Sequence, residues 1–300
     1  MEPIKSFQDL ATHLKNGPRR KMAVANATDE HSVEAVMRAV NEGIVEAYLT
    51  GDEQKVRAIT AKFPESPYIH YVNVADPKEA TDKAVSMVRN GECDILMKGL
   101  VNTDVILRSV LNKETGIHTP GNTLSYIASM TVPSYHKMIF FGDPAVIPDP
   151  SKEQRIDMIK YAIKTAKAFG VNQPKIALVH ATEVPGPKIR YMNDYVEIKE
   201  MAKNGEFGDV ILDGPMDIFL ALDKERGAIK HIDTPVLGDS DIVIFPDFDA
   251  ANVFYKTATT FGNAQMAGLL YGADKPVVLT SRSESTDTKF YCICMASILA

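Results

Sequence analysis

Near the C-terminus, the apolar run Pro276-Val-Val-Leu-Thr280 ends abruptly in Ser281, Arg282, Ser283 and Glu284, and a helical pattern carrying Asp287 follows at once. A strand that runs into a helix N-terminus leaves backbone N–H groups unpaired, and the helix dipole favours an anion there. Arg282 adds a planar fork of donors suited to phosphate or an oxyanion. Ser281 adds a hydroxyl, and Glu284 and Asp287 add carboxyls that can move a proton. The same residues also satisfy a plain helix start, in which Ser283 or Ser285 caps and the two acids complement the dipole.

Other polar clusters follow apolar runs elsewhere: Lys98-Gly-Leu-Val-Asn-Thr103, Glu183, Asp213-Gly-Pro215 and Asp247-Phe-Asp249. Lys98 with Gly99 suits phosphate, because glycine lets the backbone approach and lysine supplies charge. Asp213-Gly-Pro215 has the composition of a turn. Asn252 and Lys256 are spaced to share one helix face. His118 and His136 lie in irregular sequence and are read as structural. Cys93, Cys292 and Cys294 sit in or beside apolar runs and read as buried, inert thiols. The glycine-rich dinucleotide fingerprint, the Walker loop and the nucleophile elbow are all missing from the sequence, as is a zinc-ligand spacing.

The elements that must position these clusters alternate. The segments 21–25, 45–49, 69–74 and 94–97 read as strands, each followed by a helical pattern, which predicts a parallel sheet with right-handed crossovers. The rhythm breaks between Asn112 and Pro133, where Gly116, Pro120, Gly121 and Asn122 concentrate. Strand-like segments follow at 124–131 and 138–141, then the proline-rich stretch 143–150. The alternation then resumes with a helix at 154–169, strands at 175–179, 210–212 and 242–245, and a helix near 250–260. A last strand, 277–280, leads into a terminal helix. Successive strand ends in such a sheet lie on one edge, so clusters distant in sequence converge. Two lobes are expected: residues 1–137 with 276–300, and residues 138–275. The return of the last strand and helix to the first lobe would set the Ser281–Arg282 site in a cleft between lobes, where ligands favour binding.

The chain has 300 residues and a net charge of −6, from 33 basic and 39 acidic side chains. That balance argues against nonspecific nucleic-acid binding, which needs a positive field. No apolar run reaches the ~20 residues of a membrane span. The N-terminal segment lacks a secretory signal's apolar core, so the cytoplasm is expected.

Several strings together resemble the phosphate acetyl/butyryltransferase family: Met97-Lys-Gly-Leu-Val-Asn-Thr-Asp104, Leu124-Ser125, the Asp213-Gly-Pro215 motif, Pro246-Asp-Phe-Asp-Ala-Ala-Asn252 with Tyr255-Lys256, and Val278-Leu-Thr-Ser-Arg-Ser-Glu-Ser285. They span roughly residues 20 to 300 in the family's order and are nearer its butyryl-type members. The resemblance implies a two-domain α/β fold like isocitrate and isopropylmalate dehydrogenases, with mostly parallel sheets, an interdomain cleft and a homodimer formed through the second domain. It implies reversible transfer of a short acyl group, butyryl or branched, between CoA and inorganic phosphate. CoA is then a substrate, and no metal or other cofactor is needed. Catalytic roles fall to Ser281 and Arg282. Thr288 stands where acetyl-specific members have a catalytic aspartate, and Glu284 stands where butyryl-type members have aspartate. The proton-transfer group is therefore open between Glu284 and Asp287. Substrate contacts are expected at Lys98, Gly99, Thr103, Ser125, Asp213, Asn252, Lys256 and Thr280.

Two other functions fit the same pattern. An NAD-dependent decarboxylating dehydrogenase would need aspartates that converge on a metal ion. A non-catalytic acyl-CoA-binding protein would bind CoA without phosphate-dependent thiol exchange.

Overall fold

The structure, a computed structural model, describes residues 2–186, 188–281 and 284–300. Two compact units divide the chain: Phe7–Leu124 with Ala267–Ala300, and residues 2–6 with Ser125–Met266.

The first unit opens with α1 (Phe7–Lys15) and β1 (Arg20–Ala25). It continues through α2 (Glu30–Asn41), β2 (Val45–Gly51), α3 (Glu53–Thr60), β3 (Ile69–Asn73), α4 (Pro77–Arg89), β4 (Ile95–Lys98) and α5 (Thr103–Val110). Asp29, Asp52 and Asp76 start three of these helices: each is extended, and its carboxylate accepts from backbone N–H groups of the first turn. Those donors have no partner inside the helix, so the cap replaces water there. Met22–Ala25 and Ile95–Lys98 are buried throughout, the continuous apolar pattern of strands covered on both faces.

The second unit contains β5 (Ser125–Thr131), β6 (Ile139–Gly142), α6 (Lys152–Ala168), β7 (Lys175–Val179), α7 (Arg190–Lys203), β8 (Ile211–Met216), α8 (Ile218–Leu222), α9 (Lys224–Ile229), β9 (Ile242–Ile244) and α10 (Phe248–Phe261). β5 pairs antiparallel with β6, and β6, β9, β7 and β8 follow in parallel. α6 begins with a capping box between Ser151 and Gln154, which satisfies two first-turn donors reciprocally.

β10 (Gln265–Tyr271) spans the changeover back to the first unit, where β11 (Val277–Val278) and α11 (Thr286–Leu299) complete the chain. β10 meets β11 antiparallel, whereas β11 lies parallel to β4. The strand order of this unit is therefore β3-β2-β1-β4-β11. α11 is apolar on all sides and buried from Lys289 to Ser297, packing on α1, α2, β4 and β11. Phe290, Ile293 and Met295 are fully buried in it, and each contributes roughly 1.5–3 kcal/mol by leaving water.

The architecture is mixed α/β with mostly parallel strands, as the alternation predicts. The changeovers fall at 124/125 and 266/267, against expected positions of 137/138 and 275/276. The first difference has a direct cause: β5 hydrogen-bonds to β6 and so goes with it. Asp213-Gly-Pro215 is not a turn. It lies inside β8, opposite an irregularity in β7 between Ala177 and Val179. Gly214 has φ +149°, and a Cβ there would come within 2.6 Å of Leu178 Cβ. Local composition suggests a turn, but the pairing with β7 prevails.

Candidate active site

Val277 and Val278 pair with Leu96 and Met97, so β4 and β11 end side by side and bring Lys98, Gly99, Thr280 and Ser281 to one sheet edge. Lys98 is 4% exposed, and its ammonium donates to the Val101 carbonyl at 3.2 Å. The role of Gly99 is steric. A Cβ there would lie 2.5 Å from the Asn26 carbonyl oxygen and 2.7 Å from that of Ala25, so only glycine lets this turn rest on the end of β1. Thr280 is buried, Ser281 is exposed, and Thr103 is exposed at the first position of α5.

On either side of residues 282 and 283, the described residues between β11 and α11 contact one another. The amide of Ser281 donates to Glu284 Oε2 at 2.8 Å. Lys289, one turn into α11 and 2% exposed, reaches back to the loop. Its Nζ donates to the carbonyls of Ser281 at 2.8 Å and Glu284 at 2.9 Å. Burial pushes the Glu284 carboxyl above the usual carboxylate range, while the Ser281 N–H and the charges of Lys289 and Lys98 oppose that rise. Ser285 caps α11 by accepting from the Thr288 amide at 3.1 Å. Arg282 lies outside the described residues.

Asp287 is oriented differently. It is exposed and faces α2, 2.7 Å from Arg38 Nη1. The Arg38 guanidinium lies 3.8 Å from the Phe290 ring centroid. Thr286 donates to Glu34 on the same helix at 2.9 Å. Of the two candidate acids, Glu284 therefore shares the loop with Ser281, and Asp287 forms an ion pair on the flank of α11.

The second unit holds the remaining sequence candidates in two places. Ser125 Oγ donates to Asp143 Oδ2 at 2.9 Å, and the amides of Tyr126, Ala145 and Val146 donate to the same carboxylate. Asn252 donates to the Pro144 carbonyl at 2.9 Å, so Ser125 and Asn252 both brace the segment after β6. Lys256 is exposed on α10. Asp213 is elsewhere: it accepts from Lys199, Thr234 and the Gly214 amide. Burial would raise its carboxyl, but those donors hold it below the usual range.

The three cysteines are buried, and burial pushes Cys93 and Cys292 up to about 12. Neither thiol supplies a nucleophile at neutral pH.

Residues 71–297 match the family model for "Phosphate acetyl/butaryl transferase". The phosphate butyryltransferase of Clostridium acetobutylicum is 37% identical over 298 residues, covering 99% of each chain. The phosphate acetyltransferase of Thermotoga maritima is 35% identical, covering 98% of this chain and all of its own. The crystal structure of a branched-chain phosphotransacylase from Enterococcus faecalis superposes with a TM-score of 0.81 at 28% identity, covering 93% of this chain and 98% of its own. The chain belongs to the phosphate acetyl/butyryltransferase family.

In this member of the family Thr288 is used by the helix cap: its amide and hydroxyl both meet Ser285 Oγ. Two site residues escaped the sequence reading. Asn26 ends β1 at φ +53°, and its side-chain amide donates to the Leu100 carbonyl at 2.6 Å, tying β1 to the loop after β4. An asparagine directly after an apolar strand was the available signal, since it tolerates the left-handed region. Lys289 was the other. A charge at the head of the apolar stretch of the terminal helix is conspicuous, but its partners are set by the residues before the helix, which periodicity does not describe.

Proposed function

We propose that the chain catalyses acyl-CoA + phosphate ⇌ acyl phosphate + CoA on a short-chain acyl group, butyryl or branched. The observation that carries the reading is the Ser281–Glu284 loop, where a half-buried carboxyl sits against the Ser281 amide with Lys98 and Lys289 nearby. A phosphate oxygen forms a bond to the thioester carbonyl carbon, and the carbonyl oxygen becomes an oxyanion. Arg282 and the Ser281 hydroxyl would meet that charge as it develops, when such donors contribute most. Collapse breaks the C–S bond, and the leaving thiolate takes a proton from the Glu284 carboxyl. In the reverse direction the Glu284 carboxylate removes the thiol proton of CoA. Burial moves this carboxyl toward the working pH, as a general acid–base group requires. Lys98 is assigned to phosphate. Positioning of phosphate in line with the carbonyl supplies much of the remaining rate.

The finer fold expectation is part of this proposal: an isocitrate/isopropylmalate dehydrogenase-like arrangement with an interdomain cleft, a homodimer formed through the second domain, and a cytoplasmic location. Among the described residues, no helix is long and apolar enough to cross a membrane. Thr103, Ser125, Asp213, Asn252, Lys256 and Thr280 are carried as substrate-side positions, with Ser125 and Asn252 acting through the segment after β6. The test is thiol release from acetyl- to hexanoyl-CoA, with and without phosphate and in the presence of a metal chelator. Phosphate-dependent release that persists with chelator and favours four-carbon groups supports the reading. No release from any of these thioesters overturns it.

A further inference from the structure

We propose that Lys289 is a positioning residue that holds Ser281 and Glu284 in place by donating to the backbone carbonyls of both. The proposal rests on the acyltransfer reading of these residues and adds one that acts through the backbone of Ser281 and Glu284.

The geometry sets the argument. Lys289 is 2% exposed in the helix that forms the core of its unit. A buried ammonium is costly unless its donors are satisfied and its charge is matched. Here its acceptors are two backbone carbonyls, Ser281 at 2.8 Å and Glu284 at 2.9 Å. Both belong to the loop that carries the proposed reacting groups. Between those anchors the Ser281 amide meets Glu284 Oε2 at 2.8 Å. The helix cap is made separately by Ser285, which accepts from the Thr288 amide, and Lys289, a donor only, takes no part in it. A methionine or leucine would fill the same core position without the cost of burying charge. The carbonyl contacts account for a lysine there.

The charge has a second effect. Among the described residues, the groups facing the Glu284 carboxyl are Lys98 at the end of β4, Lys289 on α11, Cys292 one turn further along α11, and the Ser281 amide. Lys289 favours the carboxylate, so its removal should raise the Glu284 pKa. In the direction that forms acyl-CoA, Glu284 must be deprotonated. Activity therefore falls as pH drops through its pKa, and loss of Lys289 should move that acid limb to higher pH.

The experiment measures CoA acylation by butyryl phosphate as a function of pH for the wild type, Lys289→Met, Lys289→Gln and Lys289→Arg, each checked for folding by circular dichroism. The expected result is a loss of about 10- to 100-fold in kcat for Met and Gln, the scale of a misplaced reacting group. The acid limb should move upward in both, and it should return toward the wild-type position in Lys289→Arg, which keeps the charge. Met or Gln variants with wild-type kcat and an unmoved limb overturn the inference, as does a folded Lys289→Arg whose limb moves as far as that of Met. If neither neutral variant folds, hydrogen exchange of the wild-type loop decides. Protection of residues 281–285 comparable to α11 supports the inference, and exchange as fast as an open surface turn rejects it. Wild-type protein that transfers no short acyl group at all would instead overturn the functional reading.

Discussion

Arg38 and Asp287 meet at 2.7 Å across the flanks of α2 and α11, which occupies the one carboxylate that rivalled Glu284 for proton transfer. Exposed pairs of this kind contribute about 0–1 kcal/mol, so the pair orders the helix start without much stability at stake. Glu284 differs in every relevant respect: it is half-buried, bonded to the Ser281 amide and raised by burial.

Glu284→Gln is accordingly expected to lower kcat by ~100- to 10,000-fold, the usual worth of a positioned acid–base group. It should also abolish the acid limb of the pH–rate profile for CoA acylation by butyryl phosphate, the direction in which Glu284 acts as base. Asp287→Asn should keep that limb and near-normal turnover. An unchanged limb in Glu284→Gln would transfer the role elsewhere.

Arg282→Ala should cost more than Lys98→Ala. Loss of a donor that meets transition-state charge typically costs ~100- to 1000-fold in turnover. Lys98 is assigned to phosphate before and during reaction, so its loss should appear mainly as a raised KM for phosphate. Steady-state kinetics with phosphate as the varied substrate separates the two. Near-normal turnover in a folded Arg282→Ala protein would leave this loop as an ordinary helix start.

Gly99→Ala should destabilise the protein by about 1–3 kcal/mol, the range for overpacking. The atoms in the way are the backbone carbonyl oxygens of Asn26 and Ala25, which cannot swing aside like a flexible side chain. Denaturant unfolding measures the change. A wild-type midpoint would show that the end of β1 yields easily.

In the second unit Asp239 is held by three side chains: His136 and Lys137 at 2.8 Å and Lys175 at 2.9 Å. Burial opposes the charge, but these hydrogen bonds outweigh it and keep the carboxyl well below its usual range. A depressed folded-state pKa stabilises the protein above the unfolded value of about 3.9. That stability is lost as pH falls through the lower, folded value. Asp239→Asn should therefore reduce stability at neutral pH and flatten its fall below pH ~4. Thermal melts across that range test both effects.

Much of this was legible in the residues. Parallel strands covered on both faces read as apolar runs, so β1 and β4 stand out, and the structure adds the aspartate caps before 30, 53 and 77. α1 was missed although Phe7, Leu10 and Ala11 share a buried face. β10 was missed because Met266-Ala-Gly-Leu-Leu-Tyr271 has no β-branched residue, and strand propensity is low there. At the site, strand ends identified Lys98, Gly99 and Ser281, since topology alone brings them together. The partner of each acid was not legible. Arg38 and Asp287 are 249 residues apart in sequence, and only the packing of α11 on α2 joins them.

The first unit is assembled from two stretches of chain that the whole of Ser125–Met266 separates. During vectorial synthesis, the ribosome releases β1 to β4 long before β11 and α11 exist. Domains tend to fold as they emerge, yet here the edge of β4 and the facing sides of α1 and α2 must wait for residues 277–299. Once residue 266 has cleared the ribosome, the central unit has all its residues while the first still lacks β11 and α11. Ser281 and Glu284 would reach their places only after β11 and α11 join β4, later than the unit that precedes them in the chain.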